Sequence, residues 1–516
     1  MIKRIILIFT CLFVAVGLTA CADHTDRSHL FDYTTMEVDK LNFDDYENLS
    51  QTELDTLLIN PGKLSVGTSP DFAPSSFLDL DLTGLSRVQG TESAVSLYVA
   101  KSLGLELEFV TSTFDGMTID LSNGKSDVVF SGLSQTALRA QSYDFTSVYQ
   151  DAAPGSQVLM TLKSNLEKYT SVDDINKSTI TIGFQEGSLQ ESLVKDQLSD
   201  AKTKYVKNEN AILELQNGGV EFMAYSQGAA EVIVNNNQDI VIVEVFQFSV
   251  VGIGTCGLVK KGNTLTKYLS EAIETIPEGQ YTEWKTSFVE YANEISFNPS
   301  NVFIVRVFQI VGRYGSYFLE GAGITVALSI LTVIFGTILG VGLLALKKNN
   351  IKPLRVIGTT YIEVVRGVPL LLQLWVIYII VPNSWSPFLS VCVALILNSG
   401  AYVSEIIRAG IEGIDKGQYE ACRSLGLSKI QAMKKVVLPQ AIKKISPALG
   451  NEFVMLIKET SLASVFFVGD LMTIKNTITS LTYLTLEPFI VIAIVYFVLT
   501  FSATKGIKYL ESKMEA

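Results

Sequence analysis

Leu64-Ser65-Val66-Gly67-Thr68, Ala94 to Leu103, and Leu105-Glu106-Leu107-Glu108-Phe109-Val110 follow one another as strand, helix and strand. Asp127-Val128-Val129-Phe130 and Thr179-Ile180-Thr181-Ile182-Gly183 continue the series. Short strands separated by amphipathic helices imply α/β layers with parallel pairing. In such sheets ligands bind beyond the carboxyl ends of the strands. The loops to search are therefore Ser69-Pro70-Asp71-Phe72-Ala73-Pro74, the run Ser131-Gly132-Leu133-Ser134-Gln135-Thr136-Ala137-Leu138-Arg139, and Gly183-Phe184-Gln185-Glu186-Gly187-Ser188-Leu189.

The second half of the chain reads differently. Spanning the hydrocarbon core takes about 20 predominantly apolar residues. Gly321–Leu346 carries no charge, nor does Gly367–Ser404, which is long enough for two spans broken at Pro382-Asn383-Ser384-Trp385-Ser386-Pro387. Phe453–Val468, with Lys458 and Glu459, and Pro488–Thr504 complete an expected set of about five membrane helices. With residue 300 outside, fifteen Lys and Arg fall on inner segments at 347–355, 408–444 and 505–513, and the two outer loops hold only Lys475. The positive-inside rule then places the front domain outside the cytoplasm.

Charge divides along the same line. The 516 residues carry 40 basic and 52 acidic side chains, but residues 1–300 hold 20 and 40 of them, and residues 301–516 hold 20 and 12. An acidic front half has nothing with which to neutralise phosphates, which excludes nucleic acid as its partner. Cys11, Cys21, Cys256, Cys392 and Cys422 have no close pair, and His24 and His29 are the only histidines. No metal-binding spacing, disulfide framework or histidine-dependent hydrolase follows.

Met1-Ile2-Lys3-Arg4 and the apolar stretch to Ala20 have the layout of a secretory signal over residues 1–21. Leu18-Thr19-Ala20-Cys21 resembles the lipobox of bacterial lipoproteins, which implies lipidation at Cys21; an uncleaved membrane anchor is the alternative. Residues 22–62 are read as an exposed acidic stalk, helical near Thr52–Leu58.

Taken together, residues 63–295 resemble the polar amino-acid substrate-binding proteins of bacterial ABC importers, through the loops quoted above, Phe114-Asp115-Gly116 and Asp144-Phe145-Thr146. The resemblance implies a bilobed α/β clamp of the type II periplasmic-binding-protein class. One lobe would run over 63–153 and 254–295 and the other over 158–246, with crossings near Ala153-Pro154-Gly155 and Gly252-Ile253-Gly254. It also implies that Arg139 holds a ligand's α-carboxylate, a planar group that suits a guanidinium fork. Ser131, Leu133, Ser134 and Ser188 would complete that grip, Phe72 and Phe114 would pack on the ligand, and Ser226 would face its α-ammonium. The family usually has an aspartate where Ser226 stands, and often an acid where Ser69 stands. A buried ammonium needs a counter-charge, so Asp71 or Glu186 must reach in, or the ligand is not an ordinary α-amino acid.

In the back half, Glu420-Ala421-Cys422 is followed by Gly426 and then by Val436-Val437-Leu438-Pro439. This resembles the EAA loop of ABC importer permeases, here 416–439, within an all-α transmembrane type I importer permease domain over 310–510. Two short helices are expected, broken at Leu425-Gly426-Leu427 and closed by Pro439. Glu363-Val364-Val365-Arg366-Gly367-Val368-Pro369 further resembles the histidine and glutamine permease branch. Glu420, Ala421, Gly426, Leu438 and Pro439 would couple to a cytoplasmic ATP-binding subunit, which would bind ATP and Mg. Gly124-Lys125-Ser126 is not a P-loop, because Ile119 stands where the motif needs a glycine. The expected assembly is a permease homodimer with two such subunits in a bacterial cytoplasmic membrane, importing an amino acid or amino-acid-like solute. The rival readings, a ligand-gated channel or a transmembrane sensor using the same clamp, leave the EAA loop unexplained.

Overall fold

The computed structural model describes residues 29–46, 50–250, 254–295, 297, 299–383 and 385–515, so the signal segment and Cys21 lie outside the described residues. The described chain separates into two compact units. One holds the residues up to Tyr314 together with Lys475–Phe489, and the other holds Gly315–Ile474 and the residues from Ile490 onward.

The first unit contains two five-stranded sheets. In one, the strands lie in the order Glu106–Thr111, Lys63–Thr68, Val128–Val129, Leu258–Lys260, Tyr143–Phe145. The first three run parallel, with Lys63 opposite Glu106 and Val66 opposite Val128. Leu64 and Val66 are fully buried, as in parallel strands covered on both faces. Val128 and Val129 of the expected 127–130 strand pair in register, and the flanking Asp127 and Phe130 N–H groups bond the Ser65 and Gly67 carbonyls at 2.7 and 3.1 Å; the Asp127 carboxylate also accepts from the Ile59 and Ser65 N–H groups at 2.9 and 2.8 Å. The helix Thr91–Ser102 is buried nearly all round, which makes it a core helix.

The second sheet has the order Lys202–Tyr205, Thr181–Phe184, Phe222–Ser226, Gln157–Leu162, Ile240–Ile242. Its first three strands are parallel and its last two pair antiparallel. Two lobes of one pattern are thus joined where the chain crosses between them. At Ala153-Pro154-Gly155 the Ser156 N–H bonds the Ala153 carbonyl, and Gly155 takes a φ of 79° that disfavours a side chain. The other expected crossing lies partly outside the described residues. Beside it Gly254–Thr255 pairs antiparallel with Gln150–Asp151.

The segment expected to be an exposed stalk is packed into the first lobe. Tyr33 and Leu54 are fully buried, and Leu58 nearly so, in the same apolar cluster as Leu64, Val99 and Phe288. The Tyr33 hydroxyl sits 2.9 and 2.8 Å from the Leu85 and Val88 carbonyl oxygens. Tyr268 receives the Ser50 N–H at 3.1 Å. The sparse apolar residues among the acids are the signal: Leu30, Phe31, Met36, Leu41, Phe43 and Leu57 also pack on this cluster.

Among the described residues three helices are long and apolar enough to cross a membrane: Phe303–Lys347, Pro387–Glu412 and Leu486–Lys513. Lys352–Gly367 and Leu370–Ile380 make a fourth if taken together, although bent by 115° at Val368-Pro369. Proline cannot donate within a helix and forces the residue before it out of helical geometry. The expected span at 453–468 is instead the end of the helix Leu438–Glu459 followed by a 3-10 run, Thr460–Phe466. Phe303–Lys347 packs on Pro387–Glu412 through small residues: a Cβ on Gly340 would come within 3.0 Å of the Gly400 carbonyl. Its opposite face exposes Ile330, Ile334, Ile338 and Val341, suited to lipid.

Candidate functional site

All the loops singled out above open into one cavity of about 210 Å³ in the binding unit. Phe72, Phe114, Ser131, Leu133, Ser134, Arg139, Ser188 and Ser226 all line it. The structure thus brings together the eight predicted ligand contacts.

Their positions follow from local structure. Past the strand Lys63–Thr68, the Ser69 N–H bonds the Ser131 hydroxyl at 3.2 Å, which ties the first two loops together. Gly132, at a φ of 64°, turns the second loop into the cavity. Arg139 follows and is 8% exposed. Its Nη1 donates to the Ser134 carbonyl at 2.8 Å, and its Nη2 to the Gly187 carbonyl on the other lobe at 2.9 Å. Burial lowers its pKa to about 10, so it remains a cation at neutral pH. Ser188 caps the helix Leu189–Gln197 by accepting from the Glu191 N–H at 3.2 Å. The start of that helix carries a partial positive charge, and the Glu191 carboxylate in its first turn accepts from the Gly187 N–H at 2.6 Å.

Phe72 stacks on Tyr225 of the second lobe, with ring centroids 5.7 Å apart. Phe114 lines the cavity while leaning on the Met117, Leu121 and Leu133 cluster. Ser226 ends its strand without a side-chain bond to the helix that follows.

Of the two acids considered for the missing counter-charge, Asp71 lines the cavity, whereas Glu186 is exposed and does not. Burial pushes the Asp71 carboxyl up to about 6, opposed by the Ser69 hydroxyl, which donates to it at 2.8 Å. Asp71 thus lines the same cavity as Ser226, from the opposite lobe.

Several cavity residues carried no signal in the sequence. Gln150, Gln157, Gln190, Asn208 and Gln227 give the cavity an amide lining together with Gln185 of the third loop, and Lys285 and Tyr281 also line it. Glu92 accepts from the Tyr149 and Tyr281 hydroxyls at 2.5 and 3.1 Å and also binds the Gly132 backbone. It braces the second loop from behind. Buried and pushed up by that burial, it is a positioning residue that only the fold reveals.

In the other unit, Lys416–Ser424 forms the first short helix of the expected coupling loop. Gly426 makes the turn at a φ of 75°, and the Leu427 N–H returns to the Cys422 carbonyl at 3.0 Å. Ser428 and Gln431 form a capping box for the next helix. Pro439 does not close this region: it sits in the first turn of Leu438–Glu459, after a π-helical turn at Met433–Val437. A proline is tolerated there because the first-turn N–H groups have no partner within the helix. Cys422 and Val437 are buried, while Leu425 and Ile430 are 79% and 69% exposed and Glu420 and Ala421 lie on the surface.

A two-lobed clamp around a cavity lined by a buried guanidinium and a half-buried carboxylate defines a solute-binding protein. Joined in one chain to apolar helices and an EAA-type loop, it defines the fused binding and permease subunit of an ABC importer. Residues 64–290 match the bacterial extracellular solute-binding proteins, family 3, and residues 332–516 match the binding-protein-dependent transport system inner membrane component. The chain belongs to the binding-protein-dependent permease family, with a family 3 binding domain in front. It is 39% identical over 43% of its length to a putative glutamine transport system permease protein of Rickettsia bellii, covering 96% of that protein. It is 42% identical over 39% of its length to the arginine transport system permease protein of Bacillus subtilis, covering 93% of it. Among solved structures, an amino acid ABC transporter substrate-binding protein of Streptococcus pneumoniae bound to L-arginine is 26% identical. It aligns over 47% of this chain and 98% of its own, with a TM-score of 0.41.

Proposed function

We propose that the chain captures an α-amino acid outside the cell and conducts it across the cytoplasmic membrane, driven by a separate ATP-binding subunit. The observation that carries this reading is the pairing of Arg139 and Asp71 in one cavity, a cation for the carboxylate and an anion for the ammonium. The names of the glutamine and arginine permeases support the same substrate class.

The Arg139 fork and the Ser188 helix start would take the carboxylate, Asp71 the ammonium, and the amide groups a polar side chain. Ligand contacts made by both lobes favour the closed clamp, and preferential affinity for that state is all that closure requires. The partner subunit, holding ATP and Mg, would dock on the exposed Glu420–Ala421 and Leu425–Ile430 surface. Such permeases need a second copy to enclose a pathway, and a homodimer is the simplest assembly.

The test is uptake of labelled L-glutamine and L-arginine by proteoliposomes containing the chain and an ATP-binding subunit from the same organism. Calorimetry on the full chain in nanodiscs runs in parallel. ATP-dependent accumulation and micromolar or tighter binding of one of them are expected. Binding of neither, with no accumulation of any of the twenty amino acids, would overturn the reading.

A further inference from the structure

Lys285 lines the ligand cavity together with Arg139 and Asp71. It stands on the helix Gln280–Glu294, whose place is fixed by burial of Tyr281, Trp284 and Phe288, while Lys285 itself is half-buried. A side chain on Gly228 of the second lobe would begin 3.4 Å from the Lys285 Cε and 3.7 Å from the Pro74 Cγ. Glycine there leaves the lysine stem its room beside the loop that carries Asp71. Among the described residues no acid pairs with Lys285, whereas Lys204 and Lys261 meet Glu214 and Asp144 at 2.6 and 3.1 Å.

Four charged side chains line the cavity: Asp71, Arg139, Asp151 and Lys285. Asp151 is exposed, on the short strand that pairs with Gly254–Thr255, where water screens its charge. With Arg139 taken by an α-carboxylate and Asp71 by an α-ammonium, Lys285 is the charge left over. Ser69 and Ser226 add hydroxyls rather than acids, so no second half-buried acid among the lining residues receives a cationic side chain. A cation drawn out of water without a partner favours an anion beside it.

We propose that Lys285 selects the ligand's side chain, accepting a terminal carboxylate and rejecting a cation, so that acidic amino acids are the preferred substrates. The amide groups of the cavity carry both donor and acceptor atoms and do not discriminate by charge; Lys285 does. L-glutamine fits the same frame through its carbonyl oxygen but binds less tightly, because a hydrogen bond to an ionised acceptor is the stronger one. L-arginine sets its guanidinium against an unpaired ammonium and is disfavoured. This selection rests on the amino-acid reading of the cavity and goes further in naming the side chain.

The test is calorimetry on the full chain in nanodiscs with L-glutamate, L-aspartate, L-glutamine and L-arginine. The unsubstituted protein is expected to bind one of the two acidic amino acids more tightly than L-arginine by roughly tenfold or more. Lys285→Met should weaken that acidic ligand by roughly the same factor while L-glutamine changes by no more than about threefold. Lys285→Glu should reverse the order and place L-arginine first, an outcome that mere loosening of the helix would not produce. Melting temperatures of both variants should match the unsubstituted protein. Tighter binding of L-arginine by the unsubstituted protein overturns the proposal and points to Asp151 instead. An unaltered order of affinities in both Lys285 variants also overturns it, and the amino-acid reading then stands if Arg139→Ala still weakens every ligand alike. If the unsubstituted protein binds none of the twenty amino acids, that reading and the role of Lys285 fall together.

Discussion

Nη2 of Arg139 on the first lobe donates to the carbonyl oxygen of Gly187 on the second at 2.9 Å. The side chain assigned to the ligand's carboxylate is therefore also a tie across the cleft. Under the proposed function, a carboxylate arriving between them would bond the same fork that ties the lobes together.

Arg139→Ala removes both roles. Truncating one partner of a buried charge pair typically costs about 2–5 kcal/mol, and we expect a loss of affinity of about 30-fold or more by calorimetry. Arg139→Lys should recover only part of it, because a point charge cannot bond two groups as a planar fork does. Full affinity in Arg139→Ala would remove it from the site.

Asp71 makes binding depend on pH. Its carboxyl is raised to about 6 in the ligand-free cavity, and an ammonium ligand requires the ionised form. Affinity should therefore fall as the pH drops below about 6, approaching tenfold per pH unit. The effect on stability has the opposite sense. A raised carboxyl favours the ligand-free fold at low pH, and that contribution fades as the pH rises from the unfolded value near 4 through about 6. Asp71→Asn should flatten both curves and weaken binding at neutral pH. Calorimetry and thermal melts between pH 5 and 8 check both, and a parallel pH profile in Asp71→Asn would contradict the assignment.

Gly426 turns the coupling loop at a φ of 75°, where an L side chain costs about 1–2 kcal/mol. Gly426→Val should abolish uptake while leaving ligand affinity at its original value. Leu425→Asp, at a position 79% exposed, should do the same without backbone strain, and co-purification of the ATP-binding subunit should fail in both. Retained uptake in both would show that this turn does not carry the coupling.

Tyr33 tests the packing of the acidic N-terminal segment. Tyr33→Ala should destabilise the binding unit by about 3–5 kcal/mol, as for other large buried aromatics. Tyr33→Phe removes only the hydroxyl shared between Leu85 and Val88, at about 1–2 kcal/mol. Thermal unfolding measures both, and an unchanged Tyr33→Ala would return the segment to the status of a stalk.

The strand periods around Val66 and Ile182, the charge-free stretches of the back half and the Glu420 to Pro439 spacing were all legible, because each is a local pattern that an element must obey. The cavity loops could be found because parallel sheets present their ligands at strand ends. Glu92 could not, since its three partners lie on separate parts of the chain. Nor did anything local distinguish Asp71 from Glu186, two acids in loops of similar composition. Pro439 reads equally well as the end of one helix or the start of the next, and only the orientation of the neighbouring turns decided.

The sequence by itself determined the two-part plan, the apolar spans at 321–346 and 387–404 and the loops at the mouths of the strands, because those follow from periodicity, charge and spacing along one stretch of chain, while the clamp class came from the resemblance of those loops to a known family. The tertiary structure decided which acid shares the cavity with Arg139, that Tyr33 and Leu54 belong to the core, and that Thr485, near the end of the chain, bonds the Glu209 carbonyl of a clamp built near its beginning. Those are meetings between residues far apart in sequence, set by how lobes, loops and helices pack, and no local pattern encodes them.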